Sequence, residues 1–214
     1  MKQQEKTQKT RERILAAALT EFGRKSYEAA SVNSICEAGQ VSKGLLYHNF
    51  KSKDELYLHC VGVCYDRMTA CMKEHASQSR NPRERLQNFL MVRQQFFAEN
   101  PGLANIFFNT VLYPPRQLTE ELALLRRDFD AYLEEEYRSI LAQISLRDGI
   151  SADMALEYFA LVQEMFNGYF QKKARQCGDF HPLIEDHEDQ LSGMLDILLY
   201  GIAKEKPAAR DMRG

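Results

Sequence analysis

The sequence predicts an all-α protein in which an N-terminal three-helix unit with a helix-turn-helix precedes a larger helical domain, about nine helices in all. Three observations carry this expectation. Apolar residues recur at three- and four-residue spacing through every long segment. No long segment alternates with period two, so no sheet is expected. The prolines (Pro82, Pro101, Pro114, Pro115, Pro182 and Pro207) fall between the periodic stretches, where a missing N–H breaks no helical hydrogen bond.

Taken in order, Ile14, Leu15, Ala18 and Phe22, with Ala17 beside them, give an apolar face from about Thr7 to Arg24, closed by Gly23 and the Ser26-Tyr27 turn. The Lys- and Gln-rich residues before it are expected to form a mobile arm. Ser31 opens a second helix, which Gly39 closes by supplying the left-handed conformation of a sharp turn. Ser42 is an N-cap for a third. On that helix Leu46 and Phe50 share a core face, while Lys43, Gly44, Tyr47 and His48 are left for a partner. Ser52 with Glu55 three residues on reads as a capping box that starts a long helix to about Ala76. Further helices are expected at about 82–99, 102–112, 117–146, 151–176 and 185–204. The chain therefore divides into a head at 1–57, a sensing and dimerisation domain at 58–204 and a flexible tail at 205–214.

With 214 residues and 44% hydrophobic composition the chain can bury a substantial core, and its formal charge is only −2. That charge is unevenly spread. Residues 1–53 carry ten Lys/Arg against five Glu, a net +5, which leaves −7 for the rest. A basic head on an acidic body suits a DNA reader joined to a separate sensing or assembly domain. Five cysteines without close regular spacing do not make a disulfide framework. The polar N-terminus lacks a signal-peptide core, and no apolar run reaches the roughly 18 residues of a membrane span. A cytoplasmic protein is expected.

The last two long helices point to assembly. In 151–176, Leu156, Phe159, Ala160, Phe166 and Phe170 make one apolar face, and Leu161, Val162, Met165 and Tyr169 widen it beyond a single stripe. In 185–204, Leu191, Met194, Leu195, Leu198 and Ile202 are likewise flanked by Ile197, Leu199 and Tyr200, with Gly193 and Gly201 allowing close approach. Faces apolar on two sides need cover on two sides. A homodimer with a four-helix interface meets that need, and two heads then read a palindromic site in double-stranded DNA.

The candidate DNA contacts follow from chemistry and position. Lys43, Tyr47 and His48 donate to phosphates or base edges, and Gly44 lets the helix approach the duplex closely. Lys53 adds charge at a helix start that already favours an anion. Ser31 and Ser42 cap their helices and lie near phosphate, Gln40 reaches the backbone from the turn, and Lys9 and Arg13 follow an adjacent phosphate or groove. Leu45 either meets a thymine methyl or packs inward.

From Arg13 to Leu58 the chain resembles the TetR family of bacterial transcriptional regulators. The residues that carry the likeness are Ile14-Leu15-Ala16-Ala17-Ala18, Phe22-Gly23, Ser31-Val32 with Ile35, Ala38-Gly39, Val41-Ser42-Lys43-Gly44, Leu46-Tyr47-His48, Phe50-Lys51-Ser52-Lys53 and Leu56. Further on, only the helix count and the Leu198-Leu199-Tyr200-Gly201 ending agree. The resemblance implies an all-helical dimeric repressor whose larger domain takes a small-molecule effector that triggers release from DNA. Leu45 departs from the family pattern, where small or hydroxyl residues are frequent.

An effector that is partly apolar would find a wall in Phe97, Phe108 and Phe166, with Asn105, Asn109, Gln163 and Asn167 to orient it; Phe96, Phe107, Met165 and Tyr169 are further aromatic and Met candidates. An alternative trigger is metal or thiol redox chemistry at Cys60, Cys64, Cys71 and His75, which lie on one helical face. Cys60 and His75 are roughly 22 Å apart at helical rise, so they cannot share one ion. His181 and His187 with Glu185, Asp186, Glu188 and Asp189 read as a solvated helix start, where acids are favoured. The sequence holds no Gly-rich phosphate loop, His-Glu-x-x-His or nucleophile elbow, so neither an enzyme nor a cofactor is expected.

Overall fold

The structure, a computed structural model, describes residues 2–176 and 181–202; the expected tail at 205–214, the last two residues of the 185–204 helix and Cys177 lie outside them. Among the described residues there are nine α-helices and no strand. The head comprises α1 (Lys2–Phe22), α2 (Val32–Ala38) and α3 (Lys43–Asn49). The body follows as α4 (Lys53–Glu74), α5 (Pro82–Glu99), α6 (Pro101–Leu112), a 3₁₀ turn at Arg116–Leu118, α7 (Thr119–Leu141), α8 (Ala152–Ala174) and α9 (His181–Ile202).

The local signals explain most boundaries. Ser31, Ser42, Ser52 and Ser151 each turn their hydroxyl back to a backbone N–H of the following turn, at 3.1–3.2 Å. Glu55 completes the cap of α4 one residue earlier than a capping box would, accepting from the Lys51 N–H at 2.6 Å. Pro82 and Pro101 occupy first-turn positions, where no N–H is needed.

Three expectations are corrected. The N-terminal arm is helix: from Lys2 to Phe22 there is no Gly or Pro, and Gln8 and Thr10 bond to Glu12 and the Lys6 carbonyl one turn away. Gly39 is right-handed, φ −77°, and the left-handed residue of the turn is Gln40, φ 49°. Glycine at 39 eases a close approach, because a Cβ there would stand 3.1 Å from the Ile35 carbonyl oxygen and in contact, at 3.4 Å, with the Ala17 Cβ of α1. Third, α9 starts at His181 rather than 185, with Pro182 inside its first turn. His187 is therefore well within the helix and not at its solvated start.

The head closes on Ile14, Ala18, Phe22, Ile35, Leu46 and Phe50, all essentially without solvent exposure. The long α4 leaves the head and runs into the body, packed against α1, α5, α6 and α7. Its Tyr57 meets Phe22 and Tyr27 edge-on, each ring centroid 5.0 Å away. A second joint links head and body: a Cβ on Gly23 would come within 2.9 Å of the Gly102 Cα, and Asn105 Nδ2 donates to the Phe22 carbonyl at 3.0 Å. Thus α6 holds the end of α1 directly.

The cysteine face of α4 belongs to this packing. Cys60 and Cys64 are buried, and Cys64 Sγ donates to the Leu103 carbonyl at 3.3 Å. Burial pushes both thiols up, Cys64 to about 12, which makes them poor thiolates. His75 turns back to its own helix, Nδ1 2.9 Å from the Cys71 carbonyl oxygen. Among the described residues no group of three His, Cys, Asp or Glu is placed to hold a metal ion.

Candidate DNA-reading face and effector cleft

Helix α3 is two-sided because Ser42 fixes its start and Leu46 and Phe50 fix its buried edge. Its opposite side presents Lys43, Gly44, Tyr47 and His48 to solvent. Tyr47 is 47% exposed and Leu45 38%, so Tyr47 is not a core residue and Leu45 points outward, where it can meet a thymine methyl. Ser42 and Gln40 are also exposed, as are Lys9 and Arg13 on α1; Ser31 is half-buried. Lys53 is half-buried too, its Nζ 4.5 Å from the centroid of the Tyr27 ring, and Tyr27 bonds to Asp54. Desolvation lowers its ammonium from the usual lysine range, against Glu28, Asp54 and Glu21.

One residue of this face was not legible in the sequence. Arg11 of α1 donates from Nη1 to the Asn49 carbonyl at 2.8 Å, lies 4.2 Å over the Phe50 ring, and places Nη2 2.8 Å from Nε2 of His59 on α4. It caps the last turn of α3 and ties that end to α4. Residues close to it in sequence gave no hint of this, because the three partners lie 38 to 48 residues away.

In the body, α6, α7 and α8 border a cleft of about 1010 Å³. Tyr65, Leu133, Tyr137 and Phe159 form part of its wall, the last two rings stacked 5.3 Å apart at 8°. Burial raises the Tyr137 hydroxyl to about 12, so it stays a neutral phenol. Gln163 and Asn167 reach the lining from α8, and Gln163 Nε2 donates to the Tyr137 hydroxyl at 3.5 Å. Ion pairs stand along the rim: Arg126 with Asp130 at 2.8 Å, and Arg138 with Asp153 at 2.8 Å and Glu134 at 3.1 Å.

The other expected effector residues stand elsewhere. Phe97 and Phe108 pack with Phe96 and Phe107 in the core, and Phe166 leans on Phe170 and His187. Asn105 and Asn109 are buried, Asn109 Nδ2 bonding to the Asn105 carbonyl while Asn105 holds Phe22. Met165 and Tyr169 are exposed on another side of α8.

Beside the cleft lies a recess of about 40 Å³ among α5, α6, α7, α8 and α9, lined in part by Arg93, Phe107, Arg126, Gln163, Asn167 and His187. Arg93 and Glu188 are both buried, Nη1 2.9 Å from Oε1. The contact is one of charge, since the carboxylate lies off the N–H directions and leaves Nη1 without an aligned hydrogen-bond partner. His187 bridges the same carboxylate, Nδ1 at 3.1 Å, and Asn167 Oδ1, from Nε2 at 3.1 Å. Burial is the main cause that lowers the imidazole below its usual 6.5, helped by Arg93 and opposed by Glu188. His187 and Glu188 are thus a buried pair and not the solvated cap expected from their acidic neighbours.

On the outer side of α8, Met154, Tyr158, Leu161, Met165 and Tyr169 are exposed at helical spacing, and on α9 Ile197 is 74% exposed between the exposed Gly193 and Gly201. On α8 this is the widened apolar face the sequence predicts; on α9 the expected Leu199 is buried instead, and the side chains of Tyr200 and Ile202 lie outside the described residues. Among the described residues no helix is long and apolar enough to cross a membrane.

A three-helix head with an outward reading helix, joined by α4 and α6 to a helical body with a cleft, defines an effector-linked DNA-binding transcriptional regulator. Its sequence matches the bacterial regulatory proteins of the tetR family over residues 14–60 and the tetracyclin repressor-like C-terminal domain over 80–203. The chain belongs to the tetR family, whose members bind operator DNA as dimers and respond to small molecules. It is 21% identical over 169 residues to the Probable acrEF/envCD operon repressor of Escherichia coli K12, covering 76% of this chain and 75% of that one. To the regulator UidR of the same strain it is 43% identical over 71 residues, 33% of this chain and 36% of the other. Among solved structures, a TetR-family regulator from Agrobacterium tumefaciens superimposes with a TM-score of 0.62 at 18% identity, covering 92% of this chain and all of the other. FadR of Bacillus subtilis in complex with stearoyl-CoA gives 0.60 at 15% identity, covering 84% and 96%.

Proposed function

We propose that this regulator is a repressor that binds a palindromic operator as a homodimer and leaves it when a small, partly apolar effector enters the cleft between α6, α7 and α8. The observation that carries the reading is the two-sidedness of α3: Leu46 and Phe50 lock it to the head while Lys43, Gly44, Leu45, Tyr47 and His48 face outward together. Residues 1–57 supply the contacts, with Ser31, Gln40, Ser42 and Lys53 on the flanking phosphates, and 58–204 sense and dimerise. The exposed apolar stripe of α8 and the exposed Ile197 of α9 suit a second copy of the chain, which sets two reading helices about 34–36 Å apart.

Coupling runs along α6. Thr110 and Val111 border the cleft, while Gly102 and Asn105 of the same helix hold the end of α1. An effector that shifts α6 therefore moves the head. The buried charges of the body face one another and serve sensing, not catalysis, and action on chromosomal DNA is cytoplasmic work. FadR, similar in fold, is bound to stearoyl-CoA, an effector-sized ligand with a long apolar part.

Fluorescence anisotropy with a duplex selected by the protein tests the reading. Tyr47→Phe combined with Lys53→Ala is expected to weaken binding and to lower the salt dependence by about one phosphate contact. Unchanged affinity on every duplex would overturn the phosphate roles.

A further inference from the structure

We infer that His59 is a positioning residue for the reading helix and makes the grip on DNA depend on pH: the neutral imidazole ties the end of α3 to α4 through Arg11, and the protonated imidazole lets it go. This rests on α3 being the helix that reads DNA. Arg11 Nη2 stands 2.8 Å from Nε2 of His59. A guanidinium has donors only and keeps its charge at every working pH, so in this pair the imidazole is the acceptor. Its Nε2 therefore offers a lone pair, and the ring hydrogen sits on Nδ1. A second proton goes to Nε2. It removes the acceptor and leaves two cations at hydrogen-bond distance.

The end of the reading helix hangs on this bond. The same guanidinium donates from Nη1 to the carbonyl of Asn49, the last residue of α3, at 2.8 Å and lies 4.2 Å over the Phe50 ring. The His59 ring meets Phe50 edge-on, centroids 5.4 Å apart. Arg11 thus joins α1, the end of α3 and the second turn of α4. Leu46 and Phe50 stay buried when the bond opens, so protonation loosens the end of α3 without unfolding the head.

Charges on the neighbouring elements act in both senses. Arg11 of α1 repels a proton from the imidazole, while Asp54, Glu55 and Asp66 of α4 and Glu121 of α7, which line one groove together with His59, attract it. The end of α3 meets the pair with an uncharged carbonyl and an uncharged ring. Acidification also charges other histidines, His48 on the reading face among them. The informative quantity is therefore a ratio between variants at each pH.

The test measures anisotropy of the selected duplex with full-length protein from about pH 8 to about pH 5.5, the range in which imidazole side chains change charge. His59→Gln places an amide oxygen where Nε2 stands, an acceptor that does not titrate. Wild type and His59→Gln are expected to bind alike at about pH 8, and wild type to bind about threefold to tenfold more weakly than His59→Gln at about pH 5.5. With Arg11→Met in both chains that divergence is expected to vanish. Nitrogen-15 NMR of the imidazoles at about pH 8, with His59→Gln to assign the signal, is expected to show His59 with its hydrogen on Nδ1, a readout that needs no Arg11 variant. Superimposable profiles, a divergence of opposite sign, one that persists without Arg11, or a hydrogen on Nε2 would each overturn the role of His59 while α3 stands as the reading helix. If the wild type binds no selected duplex even at about pH 8, the reading of α3 falls and this role with it.

Discussion

The head and the body are built on opposite rules for polar groups. Every buried Asn, His, Arg or Glu among the described residues (Arg93, Asn105, Asn109, His187 and Glu188) belongs to the body, whereas the fully buried side chains of α1–α3 are apolar. An apolar core such as that of Ile14, Phe22, Ile35, Leu46 and Phe50 fixes one shape for a helix that must fit a groove. Buried charge does the reverse. It makes the body depend on how a few directional contacts are satisfied, which is the property a sensor needs.

The sharpest way to break this contrast is to remove one member of the buried ion pair. Arg93→Met should cost about 3–5 kcal/mol, because Glu188 is left charged in the core with only the His187 imidazole beside it. Replacing both residues by Met should cost far less. Urea unfolding of the two variants measures the difference, and equal losses would mean that size and not charge matters there. In the head the largest effect comes from a cavity: Leu46→Ala should cost about 2–5 kcal/mol and abolish DNA binding, since Leu46 is fully buried and anchors α3.

The smallest effect is one of pH. The His187 imidazole has its folded value below the usual 6.5, so the unfolded chain binds the proton first as pH falls. Its contribution to stability is complete above 6.5 and is lost as pH drops from there toward the lower folded value. Unfolding midpoints should therefore fall on acidification through this range, and His187→Phe should flatten the fall. A variant with the wild-type slope would show that other groups set the acid response.

The two regions also differed in how much of them could be read from sequence. Head elements announce themselves locally: Ser42 caps α3, Ser52 caps α4, and the spacing of Leu46 and Phe50 separates core from surface within one helix. Even there, long-range contacts were invisible. Gly39 answers to Ala17 on α1, and Arg11 finds Asn49 and His59 only in the folded chain. In the body the apolar arcs of α8 and α9 were legible as periodicity, and Gln163 and Asn167 do line the cleft. The buried Arg93–Glu188–His187 group was not. Local rules place acids at a helix start, and nothing near residue 187 reveals an arginine 94 residues earlier in the chain.

The central claim is that two copies of this chain read DNA through α3 in paired major grooves. Selection of duplexes from a random pool by the purified protein, followed by the stoichiometry of binding to the winner, tests it most directly. The expected result is an inverted repeat with half-site centres about 34–36 Å apart, bound by two chains or an even multiple and weakened by Lys43→Ala. No enrichment over the starting pool, or an asymmetric site held by one chain with Lys43→Ala indistinguishable from wild type, would contradict it.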